Sequence, residues 1–201
     1  MTSPVAADYA ARLEIDYPDR ELDRTSTFFR IFFAIPIAIV LGLISGGSSY
    51  WLATSSILFA PTALMIVFRQ KYPRWWFDFN LELTRFSTRV GSYIALLSDE
   101  YPSTTDEQYV HLEIDYPDAT TLNRWAPLYK WFLAIPHYLV LFVLGIAAFL
   151  AVIVAWFIIL FTGRYPEGIF EFVVGVSRWG LRVTAYAFLL VTDEYPPFSL
   201  D

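Results

Sequence analysis

The chain has 201 residues, of which 56% are hydrophobic and 19% aromatic, with mean hydropathy +0.46 and formal net charge −6. The acidic balance, with no basic stripe or RNA-binding motif to offset it, excludes a nucleic-acid partner. The absence of cysteine excludes disulfides and thiolate-held zinc or iron–sulfur centres. A length of this order fits one or two domains, and so apolar a composition exceeds what a soluble core needs and points to a membrane.

Met1 to Ala11 carries no basic segment followed by an apolar run, so no secretory signal is expected there, and residues 1–11 read as a flexible N-terminus. From Arg12 to Tyr17 polar Arg12, Glu14 and Asp16 alternate with apolar Leu13, Ile15 and Tyr17, the period of a half-buried strand, which Pro18 stops. Val110 to Tyr116 repeats the pattern; the two short strands could pair with each other and, marginal alone, are expected to lie against the hairpins or the ends of the Asp-Glu-Tyr-Pro segments.

Arg24 to Phe33 is aromatic and helical. Pro36 then either kinks one continuous helix or opens a new one at its first turn. Ile31 to Phe68 contains no Lys, Arg, Asp, Glu or His. As one helix it would run roughly 57 Å against roughly 30 Å of bilayer hydrocarbon, so it is expected to fold back on itself. Ser45-Gly46-Gly47-Ser48-Ser49 supplies the turn between helices near 34–50 and 53–69, with Tyr50 and Trp51 at the far interface.

After it, Trp75, Trp76, Phe79, Leu83, Phe86, Val90, Tyr93 and Leu97 form an apolar stripe at three- and four-residue steps, with Asp78, Glu82, Arg85 and Arg89 off it. Such a helix suits a cytoplasmic membrane surface. The second apolar block, Trp131 to Gly163, is interrupted only by His137. It reads either as a short hairpin turning near Gly145 or as one long tilted helix, and the repeat favours the hairpin. A second amphipathic segment, Phe170 to Val191, contains Gly175 and Gly180 and is expected to pack against the hairpins through them. All 14 Lys and Arg lie outside the two blocks, and Arg69, Lys71, Arg74 and Arg164 follow them directly. The positive-inside bias then places both termini and the central linker in the cytoplasm.

Self-comparison ties these elements together. Leu13-Glu14-Ile15-Asp16-Tyr17-Pro18-Asp19 recurs as Leu112-Glu113-Ile114-Asp115-Tyr116-Pro117-Asp118. Arg24 recurs as Arg124, Arg30 as Lys130, and Ala34-Ile35-Pro36 as Ala134-Ile135-Pro136. Tyr72-Pro73 matches Tyr165-Pro166, Arg85 and Arg89 match Arg178 and Arg182, and each half closes on Asp-Glu-Tyr-Pro, at 99–102 and 193–196. The chain is a tandem direct repeat of roughly 95 residues. It divides into repeat 1 over 12–102, a linker over 103–110, repeat 2 over 111–196 and a tail over 197–201.

On these motifs the chain resembles an uncharacterised bacterial membrane family, domain of unknown function 4389, whose members carry EIDYP-, R…RW- and DEYP-like segments around apolar hairpins. The resemblance runs from Arg12 to Pro196 and implies no activity. The expected fold is an all-α membrane protein of two tandem repeats. Each would hold a transmembrane helical hairpin, a cytoplasmic amphipathic helix and a short strand-like cytoplasmic segment. That makes a multi-pass protein of the bacterial cytoplasmic (inner) membrane with four spans and a pseudo-twofold axis along the membrane normal.

Few residues could carry chemistry. Arg85/Arg89 and Arg178/Arg182 sit four apart on helices near the membrane, the spacing of a clamp for phosphate-bearing lipid headgroups. The competing reading neutralises them inside the protein through Asp99/Glu100, Asp193/Glu194 or the Glu-x-Asp strands. His137 has Ile37 as its counterpart and no second histidine nearby, so an interfacial hydrogen-bonded side chain is expected rather than a haem or metal ligand. Glu14, Asp16, Glu113 and Asp115 alternate as on a solvated strand face. No nucleophile–base pair, phosphate loop or metal motif is present, so no enzyme, catalytic residue, metal or cofactor is expected. The expected function is a structural or accessory subunit packing against a larger membrane complex or against its own copies. The alternative is lipid binding by the four arginines.

Overall fold

Leu13 and Leu112 hold the same place in the two repeats, and they face each other. Strand β1 (Ala11–Ile15) pairs antiparallel with β2 (Val110–Ile114) in the register Ala11↔Ile114, Leu13↔Leu112, Ile15↔Val110. An antiparallel pair centred on equivalent residues has a local twofold perpendicular to the sheet. The alternation read from the sequence then sorts the faces. Leu13, Ile15, Leu112 and Ile114 are buried on one, and Arg12, Glu14, His111 and Glu113 meet water on the other.

The computed structural model describes residues 9–44, 53–106 and 108–201. After β1 come α1 (Arg24–Phe28), α2 (Arg30–Ile44), α3 (Ala53–Arg69) and α4 (Arg74–Ile94). After β2 come α5 (Ala126–Leu133), α6 (Ile135–Thr162), α7 (Glu167–Thr184) and a π-helical turn at Ala185–Leu189. The chain is mostly helical, and the turn expected at Ser45–Ser49, with Tyr50 and Trp51, lies outside the described residues.

The sheet is the first of three layers. Beneath it lie α4 and α7, exchanged between repeats: β1 of repeat 1 packs on α7 of repeat 2, and β2 of repeat 2 packs on α4 of repeat 1. The third layer is α2, α3 and α6. Ile37 and Leu41 of α2 meet Leu83, Phe86 and Val90 of α4, while Tyr138, Leu141 and Leu144 of α6 meet Trp179 and Val183 of α7. Ala63 and Ile66 of α3, with Ala155 and Ile159 of α6, join the central core that also takes in the sheet.

Several expectations are corrected. Past its first residues, which close α5, the second apolar block forms one helix, α6, and not a hairpin turning near Gly145. Gly145 has no neighbour within 4 Å of an added Cβ and sits within the helix. Among the described residues α6 alone is long and apolar enough to cross a membrane, against the four spans expected. The two prolines also differ: Pro36 lies inside α2, whereas Pro136 sits in the first turn of α6. Gly175 admits the C-terminal tail rather than a hairpin, since a Cβ there would meet the Leu200 carbonyl at 2.8 Å. Within the N-terminal segment read as flexible, Tyr9 is fully buried and Ala11 already belongs to β1.

Tyrosine hydroxyls stitch the layers across the repeats. Tyr17 donates to the Tyr165 carbonyl, and Tyr165 in turn donates to Ala95 at 3.3 Å. The mirrored relay runs from Tyr116 to the Tyr72 carbonyl and from Tyr72 to Leu189 at 3.0 Å. Tyr9 donates to Glu194 at 3.0 Å and Tyr109 to Arg89 at 3.4 Å. Burial raises Tyr9, Tyr72, Tyr109 and Tyr165 well above the ordinary phenol value of 10.0. A raised folded-state value means stability that is complete below pH 10 and is lost as pH climbs past it. Burial moves Lys130 the other way, below its ordinary 10.5, so its contribution grows with pH only up to that point. Denaturation midpoints in detergent are therefore expected to fall steeply above pH 10.5, and Tyr72→Phe and Tyr165→Phe to flatten the fall. A flat profile to pH 11.5 contradicts this.

Candidate functional site

The cations that matter most are two the sequence aligned without giving them a task. Arg30, 2% exposed at the start of α2, places Nη2 2.5 Å from Asp99 Oδ1 and donates Nη1 to the Ser98 carbonyl at 2.8 Å. Its guanidinium lies 4.1 Å from the centre of the Tyr93 ring. Lys130 on α5, equally buried, repeats the arrangement. Nζ meets Asp193 Oδ1 and the Thr192 carbonyl, each at 2.6 Å, and lies 5.0 Å above Tyr186. The other carboxylate oxygen of each acid accepts a backbone N–H, from Asp23 at 2.6 Å and from Asn123 at 2.7 Å. Each Asp-Glu-Tyr-Pro motif thus supplies the aspartate that fastens the segment leading into its own repeat's apolar helix.

Those acids are therefore not the partners of the arginine pairs. Arg85 Nε donates to the Leu112 carbonyl at 2.9 Å, and Nη1 reaches Glu82 at 2.7 Å. Arg178 Nε donates to the Leu13 carbonyl at 2.9 Å, and Nη1 reaches Leu200 at 3.4 Å. Arg89 and Arg182, 3% and 1% exposed, give Nη groups to the carbonyls of Ser103 at 3.0 Å and Ser199 at 2.7 Å. Burial lowers the proton affinity of Arg182, and neighbouring Arg178 adds to it. The pairs do not converge on one opening. Arg85 and Arg178 hold the central leucines of the strands, and Arg89 and Arg182 hold the segments that follow the Asp-Glu-Tyr-Pro motifs.

The strand acids face solvent. Arg12 bridges to Asp115 at 2.8 Å and Glu113 at 3.5 Å, and His111 meets Asp16 at 3.1 Å. His137 is fully buried rather than interfacial, accepts from Trp179 Nε1 at 3.1 Å and stacks on Phe198 at 4.0 Å. Among the described residues no cluster of three His, Asp or Glu could hold a metal. An open cleft of about 510 Å³ runs beside Lys71, Arg74, Tyr116 and Thr120, where the Arg74 guanidinium lies 4.7 Å from the Tyr116 ring centre. Nothing in it pairs a nucleophile with a base.

A family model, Domain of unknown function (DUF4389), matches residues 24–105 and again 124–199. The chain belongs to this family. The two matches start at Arg24 and Arg124, equivalent positions in the repeats, so the DUF4389 unit is present as a tandem pair. Each unit of the DUF4389 pair contains both partners of its ion pair, whereas β1 and β2 precede the matched segments. No curated protein and no solved structure matched the chain.

Sequence reasoning missed the roles of Arg30 and Lys130, although the signal was present: a cation and an aspartate recur together in each unit. The two sites differ in exposure, which yields a test. Arg30→Ala strands Asp99, whose side chain is only 10% exposed, and is expected to cost about 3–5 kcal/mol. Lys130→Ala is expected to cost less, because Asp193 is 37% exposed and keeps water as a partner. Denaturation in detergent measures both, and equal losses contradict the assignment.

Proposed function

We propose that this protein is a non-catalytic component of the bacterial cytoplasmic membrane, a structural or accessory subunit that packs against a larger membrane complex or against its own copies. One observation carries the reading: the outer surface of the third layer is apolar and unpaired. In the most apolar stretch of α6 only 11% of residues are buried, whereas the core helix of a soluble protein would be mostly covered. Phe142, Phe149 and Phe161 of α6, with Ile31, Phe32 and Leu43 of α2, all stand exposed. No Lys, Arg, Asp or Glu interrupts α6 along its length. An exposed apolar area of this extent on one face of a protein marks a membrane or a partner.

Trp75, Trp125 and Trp131 also stand exposed, in keeping with aromatic side chains at a membrane–water boundary. Arg69 closes α3, Lys71 and Arg74 follow it and Arg164 follows α6, which supports a cytoplasmic charged side with both termini on it. The lipid-clamp alternative receives no comparable support, because all four arginines of the pairs spend donors on carbonyls of the protein itself.

The test is an alkaline carbonate wash of membranes followed by gentle detergent extraction and native mass analysis. The protein is expected to stay with the membrane and to emerge bound to a stoichiometric protein partner or to further copies of itself. Release by carbonate contradicts the membrane reading. A lone monomer carrying anionic lipid contradicts the subunit reading.

A further inference from the structure

Two sites related by a twofold stand at the same height along it. The Arg30–Asp99 and Lys130–Asp193 pairs are such sites, built from equivalent residues about an axis that passes between Leu13 and Leu112. α6 begins at the second site, since Lys130 lies on α5 and α6 starts at Ile135. It then arrives at the first. Trp156 Nε1 donates to the Thr27 carbonyl at 3.0 Å, Phe28 stacks on Trp156 at 6.1 Å, and Arg30 follows two residues after Phe28. Just past the helix, the Gly163 carbonyl accepts from Leu22 N at 2.8 Å. A helix that joins two points of equal height runs across the axis, here for roughly 30 Å.

Its packing agrees. His137, Leu141, Leu144, Ala148, Val152 and Ile159 keep contact with the body from one end to the other, so α6 never projects away from it. The broken counterpart follows an equivalent course. α2 packs on α4 as the first half of α6 packs on α7, and α3 meets α5 and the π-helical turn, with Phe59 6.4 Å from Phe188.

We infer that the protein sits in a single leaflet, with α6 lying in the membrane plane as part of an apolar floor and the charged sheet face turned to water. The occupant of the outer face of α6 is lipid hydrocarbon. Three observations favour this seating over a transmembrane one. Turning α6 onto the bilayer normal lays the twofold in the membrane plane. The outer face of the sheet, with Arg12, Glu14, Glu113 and Asp115, then sits at bilayer depth, where charged groups lose water. The three-layer order also places that charged face directly opposite the apolar one. Finally, an in-plane helix ordinarily needs a polar side for water. α6 does not, because its upper side is covered by α7 and the core.

This inference rests on the membrane reading above, and one experiment separates the two. The chain has no cysteine, so single spin labels can be placed in the full-length protein in vesicles without background. Val143, Leu150 and Phe157 lie seven residues apart on the exposed side of α6, and Glu14 lies on the sheet. Labels at V143C, L150C and F157C are expected to give one common depth from oxygen and nickel-chelate collision rates, with E14C fully aqueous. A depth that changes by about 10 Å from each position to the next overturns the in-plane seating and leaves the membrane reading standing. Nickel access at all four positions overturns both. Oriented-bilayer circular dichroism of the unsubstituted protein provides a check that needs no variant: the in-plane spectrum is expected, and the transmembrane one contradicts it.

Discussion

The fold rests on an exchange of backbone obligations between the repeats. A strand carbonyl under a helix cannot turn to water and needs a donor. For Leu13 that donor is Arg178 of the other repeat, and for Leu112 it is Arg85 of the other repeat. The tyrosine relays repeat the exchange at the helix ends, from Tyr165 to Ala95 and from Tyr72 to Leu189. A hydrogen bond from a charged donor contributes roughly 1.5–3 kcal/mol, and the symmetry makes each kind twice. Neither repeat holds its own strand, so the central core is shared property of both.

The most deeply buried cations serve a different task, inside each half of the chain. Arg30, Arg89, Lys130 and Arg182 are all nearly inaccessible, and only Arg30 and Lys130 meet a carboxylate. Arg89 and Arg182 instead anchor segments with no regular structure, the stretch after residue 102 and the C-terminal tail. A guanidinium can do this because it presents several donors in a fixed fork and keeps its charge when buried. The Arg182 Nε and Nη1 groups have no partner in the structure, so its burial carries a real electrostatic cost. Phe198 and Leu200 offset part of it by completing the aromatic packing around His137 and Trp179.

Much of this was legible before any coordinates. The strand alternation and the repeat marked both strands and left β1 free to pair with β2, as it does. The amphipathic helices were legible too, but only one of their contacts. The arginine pairs read as a headgroup clamp or as side chains neutralised by nearby acids, yet α4 and α7 are sandwiched, so Arg85 and Arg178 meet strand carbonyls and Arg89 and Arg182 meet those of Ser103 and Ser199. Periodicity reports that a residue differs from the stripe; it does not say whether solvent or a second layer waits there. The hairpin expected for residues 131–163 failed for a related reason. Homology argued for matching topologies, but the Ser/Gly segment at 45–49 has no equivalent in the shorter second block. Without it α6 runs on as one helix past Gly145, where an apolar environment tolerates glycine.

The central claim is that β1 and β2 of one chain pair across the twofold with Leu13 opposite Leu112. It is tested most directly by cross-linking Glu14→Cys with His111→Cys, directly opposed in this register, in the otherwise cysteine-free chain. Mild oxidation in native membranes should close an intrachain disulfide in high yield, while Glu14→Cys with Glu113→Cys, two positions out of register, should close far less. Equal yields in the two variants, or a cross-link that joins separate chains, would contradict the exchange on which the fold is built.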